Sequence, residues 1–155
     1  MQNKADVNAL DSKGRVACHI ALHKGYWEIV KYLASVQGAD LEIAENESNS
    51  TPLKLMQAQF NSAVASGSLP DVKKYYLPCL DANAPECLHH AATTGNTPIV
   101  QFLVTSGDAN VDLIEFASKA SPLILAAQHG QVGTVSSLIE LKANVNIKDK
   151  ELTHT

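Results

Sequence analysis

The stretch DSKGRVACHIALHKGYWEIV, residues 11 to 30, decides the fold. It opens on turn formers, Asp11 to Gly14, which tolerate positive φ or hydrogen-bond their own backbone. An apolar, Ala-containing run follows through His19 and Leu22 and stops at Gly25, the residue type best suited to a left-handed helix end. Beyond it Ile29, Val30 and Leu33 fall at helical spacing. The stretch therefore predicts a turn, a short helix, a glycine stop and a second helix.

Working outward, the same order recurs. Cys18, Leu53, Leu88 and Leu123 occupy equivalent places in their tetrapeptides, separated by steps of 35 residues. Seven residues after each lies Gly25, Phe60, Gly95 or Gly130. A helix pair with a turn cannot bury its apolar faces alone, but units stacked in register can. The second unit departs from the rule, because Phe60 stands where a glycine is expected. The better stop is Gly67, so the first helix there is predicted to run from Pro52 to about Ser66, with Pro78 and Pro85 bounding an irregular connection. The fourth turn region, Asp112 to Ala120, carries one extra residue.

Composition agrees with closely packed helices. Of 155 residues 45% are hydrophobic and only 5% aromatic, with a net charge of −4. That content argues against disorder, and the acidic balance argues against nucleic acid as a partner. No run of about 18 apolar residues occurs, so no membrane insertion is expected. The first residues lack the apolar core of a signal peptide. Cys18, Cys79 and Cys87 form no CxxC pair and read as free thiols of a reducing compartment, the cytoplasm being the expected location.

These residues resemble the ankyrin repeat family. Its pattern is matched by Asp11, Gly14, His19, Ala21, Gly25, Glu28, Ile29 and Val30 in the first unit, and by Ser121, Pro122, Leu123, Ala126, Ala127 and Gly130 in the fourth. The flanks around Ala5 to Asn8 and Ala143 to Asn146 are similar to the family's hairpin residues. The resemblance implies an all-α solenoid of stacked helix-turn-helix units with short β-hairpin or loop connections. It implies one domain over residues 1–155, in approximate units 5–38, 39–77, 78–107 and 108–142 with a partial unit at 143–155. Both ends read as cut, which predicts a segment of a longer protein.

Two clusters invite catalytic or metal chemistry. His19 and His23 lie four apart on one helix, and Cys87, His89 and His90 lie close together near Cys79. Four ordered ligands are the usual zinc requirement, and His19 and His89 both fall at the family's Pro-Leu-His histidine, where the resemblance implies a structural hydrogen bond. Cys18 and Cys87 begin helices, where a thiolate is favoured, yet they occupy positions that the repeat buries. No phosphate loop, nucleophile elbow or zinc-protease motif is present. No enzyme and no cofactor is expected. A metal or enzymatic role for Cys87, His89 and His90 is the alternative.

The resemblance implies instead a protein-interaction module, a scaffold or targeting region, with its partner on the concave face made by hairpin tips and first helices. A targeting region of a bacterial effector delivered into host cells, and hence a host-cytoplasm location, is a further alternative. The expected contact residues are Leu10, Lys13, Arg15, His23 and Lys24 in the first unit, and Glu45, Glu47, Gln59 and Phe60 in the second. Asn83, Thr93 and Thr94 follow in the third, then Ile114, Phe116, Lys119, Gln128 and His129 in the fourth. Ile114 and Phe116 stand where the repeat expects polar residues. They are either exposed anchors or folded back into the core. The isolated segment is expected to be monomeric.

Overall fold

The structure is a computed structural model, and it describes residues 4–82 and 85–147, with the side chains of Pro85 and Glu86 left aside. The described residues form eight α-helices joined by turns, with no strand among them. The family's hairpin connections are thus turn-built loops here. The chain divides into two compact units, residues 1–59 and 60–155, the division falling inside one helix.

In the first unit, α1 (Ala17–Lys24) and α2 (Trp27–Ser35) are joined across Gly25, which adopts φ 74° and caps α1 by donating to Leu22 and Ala21 carbonyls. The α1 start carries Val16, which has no capping oxygen. The ring of His19 substitutes, its Nδ1 accepting from the Val16 N–H at 3.2 Å. With Nδ1 an acceptor, Nε2 carries the proton and donates to the Ser50 carbonyl at 2.9 Å. His19 is wholly buried, and one side chain thereby ties a helix start to the next loop. The core holds Val16, Cys18, Ala21, Trp27 and Val30.

The α3 helix runs Pro52–Ser66, ends at Gly67 (φ 74°) and contains the unit division. Its start is capped by the Thr51 hydroxyl, which accepts from the Lys54 N–H at 3.2 Å. Its extra length is explained by Phe60, fully buried with Val64. An apolar anchor at that position needs the helix to continue beneath it. Phe60 is therefore core, contrary to the expectation that it faces a partner.

The second unit continues with α4 (Leu69–Tyr75), α5 (Pro85–Thr94), α6 (Thr97–Thr105), α7 (Pro122–Gln128) and α8 (Val132–Glu140). The inner helices α5 and α7 pack together, as do the outer helices α6 and α8, and α4 reaches α6. Ala91, Ala92 and Ala126, all buried, let the inner helices approach closely, while Leu88, Ile99, Val100, Leu103 and Leu138 fill the interior. Each of the larger side chains contributes roughly 1.5–3 kcal/mol by leaving water. The outer helices meet differently, through hydroxyls and an amide. Thr97 and Thr134 Oγ1 atoms lie 2.8 Å apart, and Gln101 Nε2 donates to Ser137 Oγ at 3.1 Å. Asn96 Nδ2 donates to the Gly67 carbonyl at 2.9 Å, and Gln131 Nε2 to the Thr93 carbonyl at 3.0 Å.

Candidate functional site

The loop tips follow two designs. The first is tight: the Asp11 N–H donates to the Arg15 carbonyl at 3.0 Å, and Gly14 turns with φ 71°. A side chain at Gly14 would be strained by that φ and would also collide with the Asn46 side chain. The second design holds one more residue and occurs twice. The Glu45 N–H donates to the Ser50 carbonyl and the Asn49 N–H to the Glu45 carbonyl, both at 3.0 Å. Seventy residues on, Glu115 donates to Ala120 at 3.0 Å and Lys119 to Glu115 at 2.9 Å. Asn49 and Lys119 both take φ near +50° (52° and 55°). The Ser48 hydroxyl donates to the Glu45 carboxylate, and Ser118 does the same for Glu115. The extra residue expected in the fourth loop is present, and the second loop carries one as well.

The first unit uses most of its charges internally. Arg15 Nη2 and Nε sit 2.7 and 2.9 Å from Asp11 Oδ2, and the Asp11 carboxylate also accepts from the Lys13 and Arg15 N–H groups. These bonds, led by the Arg15 side chain, lower the Asp11 carboxyl to about 2. Lys13 pairs with Glu47 at 2.9 Å. Glu45, expected to face outward, is 6% exposed. The Ser48 hydroxyl and then His23, whose Nε2 lies 3.3 Å from Oε2, hold its carboxyl below the ordinary range. Glu45 supports its own loop. Leu10 is open at 59%, and His23, Lys24, Glu47 and Gln59 are exposed.

In the second unit Phe116 is 85% exposed and Ile114 38% exposed, so neither folds back as core. The Lys119 ammonium rests 3.7 Å from the Phe116 ring centroid, a cation–π contact worth about 0.5–1 kcal/mol at such a site. Beside this loop lies an open groove of about 550 Å³. Asn61, Ser62 and Ala65 of α3 form one wall, His90 and Thr93 of α5 another, and Glu115 reaches it from the loop. Thr94, Gln128 and His129 are exposed, while Thr93 is half-buried with its hydroxyl donating to the His89 carbonyl at 2.8 Å. Asn83 lies outside the described residues.

Cys18, Cys87, His19 and His89 are buried in the packing, whereas Cys79 and His90 are exposed. His89 Nε2 bonds the Leu113 carbonyl at 2.8 Å, and the buried Cys87 thiol donates to Asn61 Oδ1 at 3.3 Å. Among the described residues no three His, Cys, Asp or Glu groups are arranged to hold a metal. Among the described residues no helix is long and apolar enough to cross a membrane.

Sequence reasoning missed Glu115 as a groove residue, although the Glu-x-x-Ser spacing shared by 45–48 and 115–118 signals it. It also missed an exposed apolar stripe, Tyr26, Ile29 and Tyr32, at the start and along α2.

Known proteins agree with this arrangement. A family model described as ankyrin repeats (3 copies) matches residues 55–149, and a single ankyrin repeat model matches residues 13–46. The chain is 32% identical over 92% of its length to the transient receptor potential cation channel subfamily A member 1 of Drosophila melanogaster, covering 12% of that protein. It is 27% identical to mouse Synphilin-1 over 90% of the chain and 15% of that protein. With mouse Rabankyrin-5 the identity is 30%, over 92% of the chain and 12% of the relative. The chain thus spans only a small fraction of the length of these relatives. The recurring turn, helix, glycine and helix, the paired inner and outer helices and the matching family models lead to one assignment: the chain belongs to the ankyrin repeat family.

Proposed function

We propose that this chain is a protein-binding module whose second unit seats a partner on the 113–120 loop and the groove beside it. The carrying observation is Phe116, 85% exposed at a loop tip and backed by Lys119. Leaving an aromatic ring in water forgoes roughly 2 kcal/mol of burial. Binding sites draw their affinity from a few aromatic anchors rather than from rim charges. The relatives support the same reading, since similar segments recur in proteins whose names differ as widely as a cation channel and Rabankyrin-5. A shared binding unit fits that spread better than a shared reaction. The partner meets a loop held by internal hydrogen bonds, so little ordering cost accompanies association. A cytoplasmic setting, within its own cell or a host's, accompanies this proposal.

The test is affinity capture with wild-type chain and a Phe116→Ala variant, followed by titration of whatever the wild type retains. Binding should weaken by about 2 kcal/mol, while thermal stability stays within about 0.5 kcal/mol, as for an exposed residue. A partner held equally by both would place the site elsewhere on the chain.

A further inference from the structure

Resting on the reading above, we infer that the partner delivers a cationic side chain, an arginine or a lysine, to the carboxylate of Glu115. The chain's own second copy of the loop points to this. Glu45 and Glu115 close identical backbone turns and each accepts from a serine hydroxyl three residues on. In the first unit the remaining carboxylate capacity meets His23 Nε2 at 3.3 Å, and the Glu45 side chain is left 7% exposed. In the second unit the residue at the His23 position is Thr93, whose hydroxyl is turned away to the His89 carbonyl at 2.8 Å.

Among the described residues no Lys, Arg or His forms an ion pair with Glu115. Lys119, the nearest cation in sequence, is held over the Phe116 ring. Glu115 is instead one of the residues that line the groove. A carboxylate accepts about four hydrogen bonds, and one serine leaves most of that capacity unused. Charge-assisted bonds from an incoming ammonium or guanidinium are roughly twice as strong as neutral ones. Phe116, next to Glu115 in sequence and 85% exposed, offers apolar surface for the aliphatic stem of such a side chain. The net charge of −4 favours the approach of a basic partner. At the equivalent position the first unit supplies its own partner, His23, whereas the second has Thr93 and leaves the place for another molecule's.

The experiment pans a random peptide library displayed on phage against the full chain, then measures selected synthetic peptides against variants. Wild type should enrich peptides that share an arginine or lysine next to an apolar residue. Glu115→Gln should weaken their binding about tenfold, which corresponds to about 1.4 kcal/mol. Thr93→His should weaken it comparably, because it supplies the carboxylate with the partner that the first unit already has. Melting of both variants should stay near wild type. Selected peptides without a basic residue, unaffected by Glu115→Gln but lost with Phe116→Ala, would overturn this inference and leave the proposed function standing. No enrichment, or peptides indifferent to both Glu115 and Phe116, would overturn both.

Discussion

The loops at 43–50 and 113–120 share a backbone but not a role. Each is closed by the same two hydrogen bonds, the same Glu–Ser clasp and one residue at positive φ. In the first, the tip is polar and the glutamate is sealed beneath His23; in the second, the tip is Phe116 and the glutamate borders a groove. Loop conformation is set by short-range hydrogen bonds, whereas what the loop offers to solvent is set by its tip residue and by one residue on the preceding helix, His23 or Thr93. Geometry and chemistry are thereby separable, and a loop can change what it binds without refolding.

The comparison can be broken most severely at the histidines that reach each loop from its preceding helix. His19→Ala removes two hydrogen bonds at once, one buried and one part-buried, and should cost about 3 kcal/mol in chemical denaturation, since orphaned buried groups cost about 1–3 kcal/mol each. A loss under about 1 kcal/mol would show that the loop is held chiefly by its own clasp.

A smaller effect sharpens the contrast between the two glutamates. Glu45→Ala should destabilise by about 1.5 kcal/mol, the worth of a hydrogen bond to a charged group, whereas Glu115→Gln should change stability by less than about 0.5 kcal/mol. Equal losses would mean that the two carboxylates do the same work.

The smallest effect concerns acid. The Asp11 carboxyl titrates at about 2 when folded, against 3.8 ordinarily, so the folded loop binds fewer protons than the unfolded one. Its stabilisation is complete above about pH 4 and fades as pH falls toward 2. Amide signals of Lys13 and Arg15 should move together through that window. A transition centred at the ordinary carboxylate value would mean that the Arg15 pair does not persist in solution.

Much of the fold was legible because it depends on residues close in sequence. The 35-residue step, the stops at Gly25 and Gly95, and the displaced stop at Gly67 are local signals, and α3 ends where the last of these predicts. The site was less legible. Glu45 looks like any solvated loop acid, and its burial depends on His23, 22 positions earlier on another element. The extra residue in the second loop was hidden by a run of turn formers at Asn46–Asn49, any of which could close a tight turn. Whether Phe116 faced inward or outward could not be read from its own identity; it lies 85% exposed with the Lys119 ammonium over its ring.

The amide links of Asn96 and Gln131 carry a consequence for how such a chain can change length. Each side chain stands directly after a helix-ending glycine and reaches back to a carbonyl at or near the glycine of the repeat before it. The fit at the second is close: a methyl group on Gly95 would run into the Gln131 side chain. A gene rearrangement that adds or removes one whole period carries a glycine and its following amide along together, so the seam is remade at the new junction. One that adds a fraction of a period separates them, and the seam is lost. Duplication and excision of whole periods are therefore the cheap moves open to this architecture, and binding surfaces can be lengthened one loop at a time.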